Sequence, residues 1–171
     1  MINGLYLPTG MSRSYGDVAI VDGASTISSL GMNRFLNFNT DTGVLVCEPG
    51  VLLKDIQEVF VKQGWMLHVT PGTALVTVGG AIANDIHGKD HHLAGTFGDH
   101  VLGFTLLRSD GSSRHCSATE NSDFFRATIG GLGLTGFITN VSLQLKRVAG
   151  PYFETEVIPY YSLSEFFELS R

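Results

Sequence analysis

The hydrophobic pattern changes period several times along the chain, and each change marks an element. After a turn-rich loop from Leu7 to Asp17, the run Val18–Val21 predicts a short strand, and a second strand, Val44–Cys47, stops at Pro49-Gly50. Across Val51–Gln63 the residues Leu52, Leu53, Ile56, Val59 and Phe60 recur at helical spacing, which predicts an amphipathic helix closed by Gly64. Trp65–Val69 returns as a strand that reaches Thr70-Pro71-Gly72-Thr73. Val78–His87 predicts a short helix opened by Gly79-Gly80, with Ala81, Ile82 and Ile86 on one face, and a loop dense in Gly, His and Asp follows from Gly88 to His100.

In the second half, Val101–Leu107 and Ser113–Ser117 flank Ser109-Asp110-Gly111, a hairpin signature. Asn121–Thr128 reads as a brief helix. Beyond a glycine run comes the strand Phe137–Lys146, where Val141, Leu143 and Leu145 alternate with Ser142, Gln144 and Lys146. Near the end, Ser162-Leu163-Ser164-Glu165 is a capping-box pattern, and Leu163, Phe166, Phe167 and Leu169 begin an apolar helical face. That helix is either the start of a truncated further domain or a terminal helix docked on the core. The sequence contains no internal repeat.

Composition narrows the class. Of 171 residues, 21 are glycine and 43% are hydrophobic, while charged residues make up 16%, against the ~25% of an average soluble domain. Such a chain has enough apolar surface for a core and lacks the signature of disorder. Its apolar runs fall short of a membrane span, and Met1-Ile2-Asn3-Gly4 does not open a signal peptide. A net charge of −5, with Lys146-Arg147 the one basic pair, argues against nucleic acid as a partner. Cys47 and Cys116 stand far apart, which excludes a disulfide scaffold and fits a reducing, cytoplasmic compartment.

Three glycine loops carry the candidate chemistry. Gly131-Leu132-Gly133-Leu134-Thr135-Gly136 is a literal G-x-G-x-x-G, but the helix precedes it and the strand follows, the reverse of the dinucleotide fingerprint. Gly10–Gly16, with Ser12, Arg13 and Ser14, has the make-up of a backbone nest for an anion and equally of a surface turn. Pro71–Gly80 either exposes the free N–H groups of a helix start to a ligand or is a tight strand-to-helix connection. Five of the six histidines lie between His68 and His100 beside Asp85, Asp90 and Asp99, yet Gly88 interrupts any helix that would align His87 with His91, so no metal site is expected. A G-x-S-x-G nucleophile elbow is absent, and Cys116 reads as a small hydrophobe in a hairpin strand.

Taken in order, Arg13-Ser14-Tyr15-Gly16-Asp17, Thr70-Pro71-Gly72-Thr73, Thr77-Val78-Gly79-Gly80-Ala81-Ile82, Asp85-Ile86-His87-Gly88-Lys89-Asp90-His91-His92 and the Gly131–Gly136 loop resemble the FAD-linked oxidases of the vanillyl-alcohol oxidase / p-cresol methylhydroxylase type. The Asp85–His92 stretch, with Gly95-Thr96-Phe97-Gly98 and His100, is more specific than any glycine loop and is most similar to the bacterial branch that oxidises a lipid-linked ribose. The resemblance covers the chain from about Leu7 to Val148. It implies an α+β, two-subdomain FAD-binding fold of the p-cresol methylhydroxylase type over residues 1–150, divided near residue 90. Residues 151–171 would open a C-terminal substrate domain that is otherwise lacking.

The same resemblance implies the site. Gly10, Met11, Ser12, Arg13, Ser14, Tyr15 and Gly16 would hold the FAD pyrophosphate through backbone N–H groups. Gly72, Thr77, Val78, Gly79 and Gly80 would line the flavin and diphosphate. Asn84, Asp85, Ile86 and His87 would pass the isoalloxazine ring, and Ile138 would contact FAD. His87 is the implied catalytic residue, orienting an alcohol or tuning the flavin; a histidine bonded within its own loop is the alternative. Two positions depart from the family. Arg13 stands where sugar-lactone and alditol oxidases carry the flavin-linking histidine, which implies non-covalent FAD, and Ser12 replaces a usual glycine. The implied reaction is oxidation of a secondary alcohol of a sugar, polyol or lipid-linked sugar by hydride transfer to flavin N5. The alternative is a flavin-binding or fold-only module without catalysis. A peripheral seat at the inner face of a membrane and a dimer through the open flavin face complete the expectations.

Overall fold

A computed structural model of the chain describes residues 6–170. Met1–Leu5, including the start read for a leader, and Arg171 lie outside the described residues. The centre is a five-stranded antiparallel sheet. Its strands are β3 (Phe35–Asn39), β4 (Val44–Cys47), β6 (Val101–Leu107), β7 (Ser113–Ser117) and β8 (Phe137–Gln144), in spatial order β3-β4-β8-β6-β7. Strands from both sides of residue 90 therefore share one sheet. A parallel pair, β1 (Tyr6–Thr9) with β2 (Ser25–Ser28), and an antiparallel pair, β5 (Trp65–Met66) with β9 (Lys146–Arg147), flank it.

Alternation decides what the sheet buries. In β8 and just beyond it, Val141, Leu143 and Leu145 are buried while their polar neighbours are partly exposed. They join Leu45, Cys47, Phe104, Leu106 and Cys116 in one apolar cluster. Helix α1 (Leu53–Phe60) sends Leu53, Ile56 and Phe60 into that cluster. Val59, one position off the stripe, stays exposed. The helix tightens into a single 3-10 turn, Val61–Gln63, and Gly64 ends it at φ +82°. Gly43 is fixed twice over: it turns the β3–β4 hairpin at φ +73°, and a Cβ there would strike the buried Trp65 ring.

Several elements differ from the sequence pattern. Val18–Val21 is not a strand: the Ile20 N–H closes a turn onto Asp17 O, and Val18 and Ile20 remain exposed. Conversely, Tyr6–Thr9, read as part of a loop, pairs with Ser25–Ser28, and Phe35–Asn39 completes the hairpin with β4. Trp65–Val69 forms ladder pairs only at its first two residues, although Leu67 and Val69 are buried. Helix α2 spans Val78–Ala83 rather than reaching His87. The Asn84 amide donates back to Gly80 O at 2.9 Å and Asp85 adopts φ +42°, which turns the chain out of the helix. The loop before β6 holds one helical turn, α3 (His91–Ala94).

The β6–β7 hairpin has the expected bounds, and α4 (Ser122–Thr128) starts one residue after its expected first position. At the C-terminus α5 (Leu163–Leu169) is capped as its sequence predicts: Ser162 Oγ accepts from Glu165 N at 3.2 Å, and Glu165 Oε2 accepts from Tyr161 N at 2.8 Å. None of its residues is buried. Among the described residues no helix is long and apolar enough to cross a membrane.

Candidate functional site

Five segments converge on one open cleft of about 260 Å³: the end of β1 with the loop after it, Pro49 after β4, the start of α2, the glycine loop, and the start of β8. The loop's contribution is its backbone. Among the described residues, none of the amide N–H groups from Met11 to Tyr15 has a hydrogen-bond acceptor. Such groups at a cleft wall are free to donate to an anion. Ser12 sits at φ +50°, a left-handed conformation that suits glycine better than serine.

Opposite the loop, Thr77 caps α2. Its Oγ1 accepts from Gly80 N at 3.1 Å, and the Gly79 N–H donates to Pro49 O at 2.8 Å. Gly10 packs directly on the capping hydroxyl, where a Cβ would overlap Thr77 Oγ1. At the far end of α2, the Gly130 N–H donates to Ile82 O and the Leu132 N–H to Ala83 O, at 2.9 and 2.8 Å. The glycine loop thus satisfies the helix's last carbonyls. Leu132 at φ +53° and Gly133 at φ +78° make this turn possible, and both line the cleft.

Charge in the cleft is one-sided: among the described residues, Arg13 is the only charged one that lines it. Nearby, Glu48 is buried and fixed by Arg34, whose Nη2 lies 2.7 Å from Oε1 and whose backbone N–H donates to Oε2 at 2.8 Å. These hydrogen bonds hold the Glu48 carboxyl below its ordinary range. The pair braces the Glu48-Pro49-Gly50 turn that forms one cleft edge. Burial pushes the Cys47 thiol up to about 12, so it is an inert core group.

Of the residues singled out by sequence, Gly10, Met11, Ser12, Arg13, Ser14, Tyr15, Thr77, Gly79, Gly80, Asn84, Ile86 and Ile138 line this cleft. Val78 is buried beneath it. Asp85 faces elsewhere, its Oδ1 accepting from Gly98 N at 2.8 Å. Gly16 is not among the lining residues. Gly72 and His87 belong to a second depression, shared with His68, Lys89, His91 and Lys146. Ile86 and His87 are adjacent yet serve different hollows, so the chain between α2 and α3 is the partition. Sequence reasoning missed Pro49, Val76, Ala83, Thr128 and Phe137. Only the glycine loop signalled its part, and its isolated motif was too weak to place it.

Comparison with known proteins gives this geometry a family. A family described as the FAD binding domain matches residues 3–117. The chain belongs to this FAD-binding family. Its cofactor is FAD, and its sequence-level likeness to FAD-linked oxidases is shared by its relatives. Decaprenylphosphoryl-beta-D-ribose oxidase of Mycolicibacterium smegmatis is 41% identical over 84% of this chain and 32% of its own length. L-gulonolactone oxidase of Mus musculus is 34% identical over 79% of this chain and 30% of its own. D-lactate dehydrogenase of Anaerostipes hadrus is 29% identical over 88% and 32%. The chain spans about a third of the length of these curated relatives. The cleft of this FAD-binding chain fits the cofactor's chemistry: unpaired amides and a guanidinium suit a diphosphate, and the described lining residues include no carboxylate to repel it.

Proposed function

We propose that the chain is the FAD-binding portion of an oxidoreductase that oxidises a secondary alcohol of a sugar or polyol, in the manner of a decaprenylphosphoryl-ribose oxidase. The observation that carries this reading is the row of unpaired N–H groups from Met11 to Tyr15, facing the capped start of α2 across a cleft whose one charge is Arg13. Bound FAD supplies the acceptor for the hydride that leaves the carbinol carbon. The amides and Arg13 hold the diphosphate. Val76, Ala83, Ile86 and Ile138 give the cleft apolar walls that keep water from the cofactor.

His87 orients the alcohol hydroxyl or tunes the flavin from the neighbouring hollow. It is exposed, and among the described residues its ring has no hydrogen-bond partner, only the edge of His91 at 5.5 Å between centroids. A free ring supports a ligand-facing role over a bond within its own loop. The hydroxyl proton passes to a base from the substrate domain. FAD is held without a covalent bond, since an arginine at position 13 cannot form the histidyl link. A lipid-linked substrate would seat the whole enzyme at the inner face of a membrane.

A second reading, a flavin-binding module without catalysis of its own, is favoured for the isolated 171-residue chain by one observation. Tyr152, Phe153, Val157, Tyr161, Leu163 and Phe167 are all more than half exposed. Such a surface normally has a partner, which we assign to the rest of the substrate domain, with a second copy as its substitute in the isolated chain. Purified protein is expected to be yellow and to release its flavin on acid precipitation. A colourless protein that takes up no added FAD would refute the reading; flavin retained in the acid pellet would refute the non-covalent link. In the full-length enzyme, His87→Ala is expected to slow anaerobic flavin reduction, and an unchanged rate would remove His87 from the site.

A further inference from the structure

Between α2 and β6 the chain doubles back on itself, and the two arms pair in a regular register. The Phe97 N–H donates to Ile86 O at 2.8 Å, and His87 bridges Thr96 in the antiparallel sense. The next rung of that register sets Gly98 opposite Asp85, and there the backbone cannot continue the ladder. Asp85 is still closing α2: its N–H donates to Ile82 O at 3.0 Å, and its φ of +42° takes it out of the extended form. The side chain completes the rung instead, Asp85 Oδ1 accepting from Gly98 N at 2.8 Å.

Gly98 is buried and opens the 3-10 turn Gly98–His100 that leads into β6. Without the carboxylate its N–H would be a buried donor with no acceptor. The surroundings are fitted to this contact. A Cβ at Gly98 would overlap the Ile129 side chain and lie 2.8 Å from Asp85 Oδ1. The glycine loop is tied to the same corner, because Ile82 O accepts from Gly130 N as well as from Asp85 N.

The consequence falls on His87. It is exposed, and among the described residues its ring has no hydrogen-bond partner, so no bond of its own fixes its direction. That direction is set by the register of the arm, which is pinned at the helix end by Asp85. We infer that Asp85 is the positioning residue for His87: its carboxylate replaces a backbone carbonyl, locks residues 85–87 to residues 96–98, and commits His87 to the second depression. Asp85 thereby differs from the cofactor contacts beside it in the sequence motif, for it holds the loop and not FAD. The inference rests on the role proposed for His87 only in its effect on flavin reduction.

Two variants separate the carboxylate from the backbone conformation. Asp85→Asn keeps an acceptor and tolerates positive φ, whereas Asp85→Gly keeps the φ and loses the acceptor. NMR of the chain, with and without FAD, reads the geometry. Asp85→Gly is expected to speed Gly98 amide exchange about tenfold, the equivalent of one lost hydrogen bond, and to shift the His87 imidazole signals. Asp85→Asn should leave both as in the parent. FAD affinity should be unchanged in either variant, because Asp85 does not line the cofactor cleft. In the full-length enzyme, Asp85→Gly should slow anaerobic flavin reduction and Asp85→Asn should not. The Asp85→Gly, His87→Ala double variant should be no slower than His87→Ala, since the first acts through the second.

Unmoved Gly98 exchange and His87 signals in Asp85→Gly overturn the inference, because positive φ alone would then suffice. Asp85→Asn as impaired as Asp85→Gly overturns it by showing a use for the charge itself. Weakened FAD affinity in Asp85→Asn overturns it by making Asp85 a cofactor ligand. If His87→Ala reduces its flavin at the parent's rate, the role proposed for His87 falls, and the Gly98 and His87 signals decide on Asp85 as before.

Discussion

Gly10→Ala tests the contact on which the cleft depends. Gly10 does not need positive φ, so alanine itself is conformationally acceptable there and reduces unfolded-state freedom, a gain of about 0.4–1 kcal/mol. The added Cβ, however, would overlap Thr77 Oγ1 and lie 3.1 Å from Cγ2 and 3.2 Å from Cβ of the same side chain. Thr77 is buried, so its hydroxyl has little room to swing aside. Moving it breaks the cap to Gly80 N, worth about 0.5–2 kcal/mol, and the residual overlap costs about 1–3 kcal/mol. The net expectation is a loss of about 1–4 kcal/mol, a fall in Tm of about 3–12 °C for a chain of this size. Circular-dichroism melts of Gly10→Ala, Thr77→Ala and the double variant supply the assay. In the double variant the overlap with Oγ1 and Cγ2 is gone and only the 3.2 Å approach to the Cβ of residue 77 remains, so its stability should lie close to that of Thr77→Ala alone. FAD uptake should follow the same order, because the clash displaces the cleft wall. An unchanged Tm for Gly10→Ala, or costs that simply add, would refute the reasoning.

Three further outcomes follow from the same geometry. Ser12→Gly relieves the left-handed strain at φ +50° and is expected to stabilise the chain by up to about 1 kcal/mol in urea titration with FAD uptake retained, whereas Ser12→Val should lose both. Glu48 has a lowered carboxyl pKa in the fold, so its contribution is present above the ordinary carboxylate range and disappears as pH falls through its folded value. The urea midpoint of Glu48→Gln should therefore lie below the parent's at pH 7, and the gap should close below about pH 4. The His68 imidazole is lowered to about 4, so the unfolded chain binds its proton first, and stability should decline as pH drops from about 6.5 towards 4. His68→Gln is expected to flatten that part of the pH–stability profile, and an unaltered slope would assign the decline to other groups.

What the sequence reveals depends on whether a signal is local. The β6–β7 hairpin announces itself through Ser109-Asp110-Gly111, and α1 through the spacing of Leu53, Ile56 and Phe60, because turn chemistry and one-sided burial are written in neighbouring residues. Strand β2, Ser-Thr-Ile-Ser, has no such signature; it exists because Tyr6–Thr9 lies alongside it. The run Val18–Val21 fails for the converse reason: no strand is placed to receive its ladder, and it stays a turn at the cleft mouth. Tertiary context outweighs β-propensity in both cases.

The candidate site divides along the same line. A resemblance of ordered motifs groups Asn84, Asp85, Ile86 and His87 as one stretch beside the flavin, but motifs carry no direction for side chains. Direction comes from the exit of α2, where the Asn84 side chain turns back to Gly80 O and Asp85 takes φ +42° to reach the Gly98 N–H. The His87–Thr96 bridge then holds the segment extended, so that consecutive residues point to opposite sides. Ile86 is thereby given to the glycine-lined cleft and His87 to the second depression. A one-residue insertion between Asp85 and His87 would exchange those two faces. It should leave the N–H groups of Met11–Tyr15 in place, and so spare FAD uptake, while turning His87 out of the second depression and slowing anaerobic flavin reduction in the full-length enzyme as His87→Ala does. Loss of both functions together would show that the partition is not what separates them.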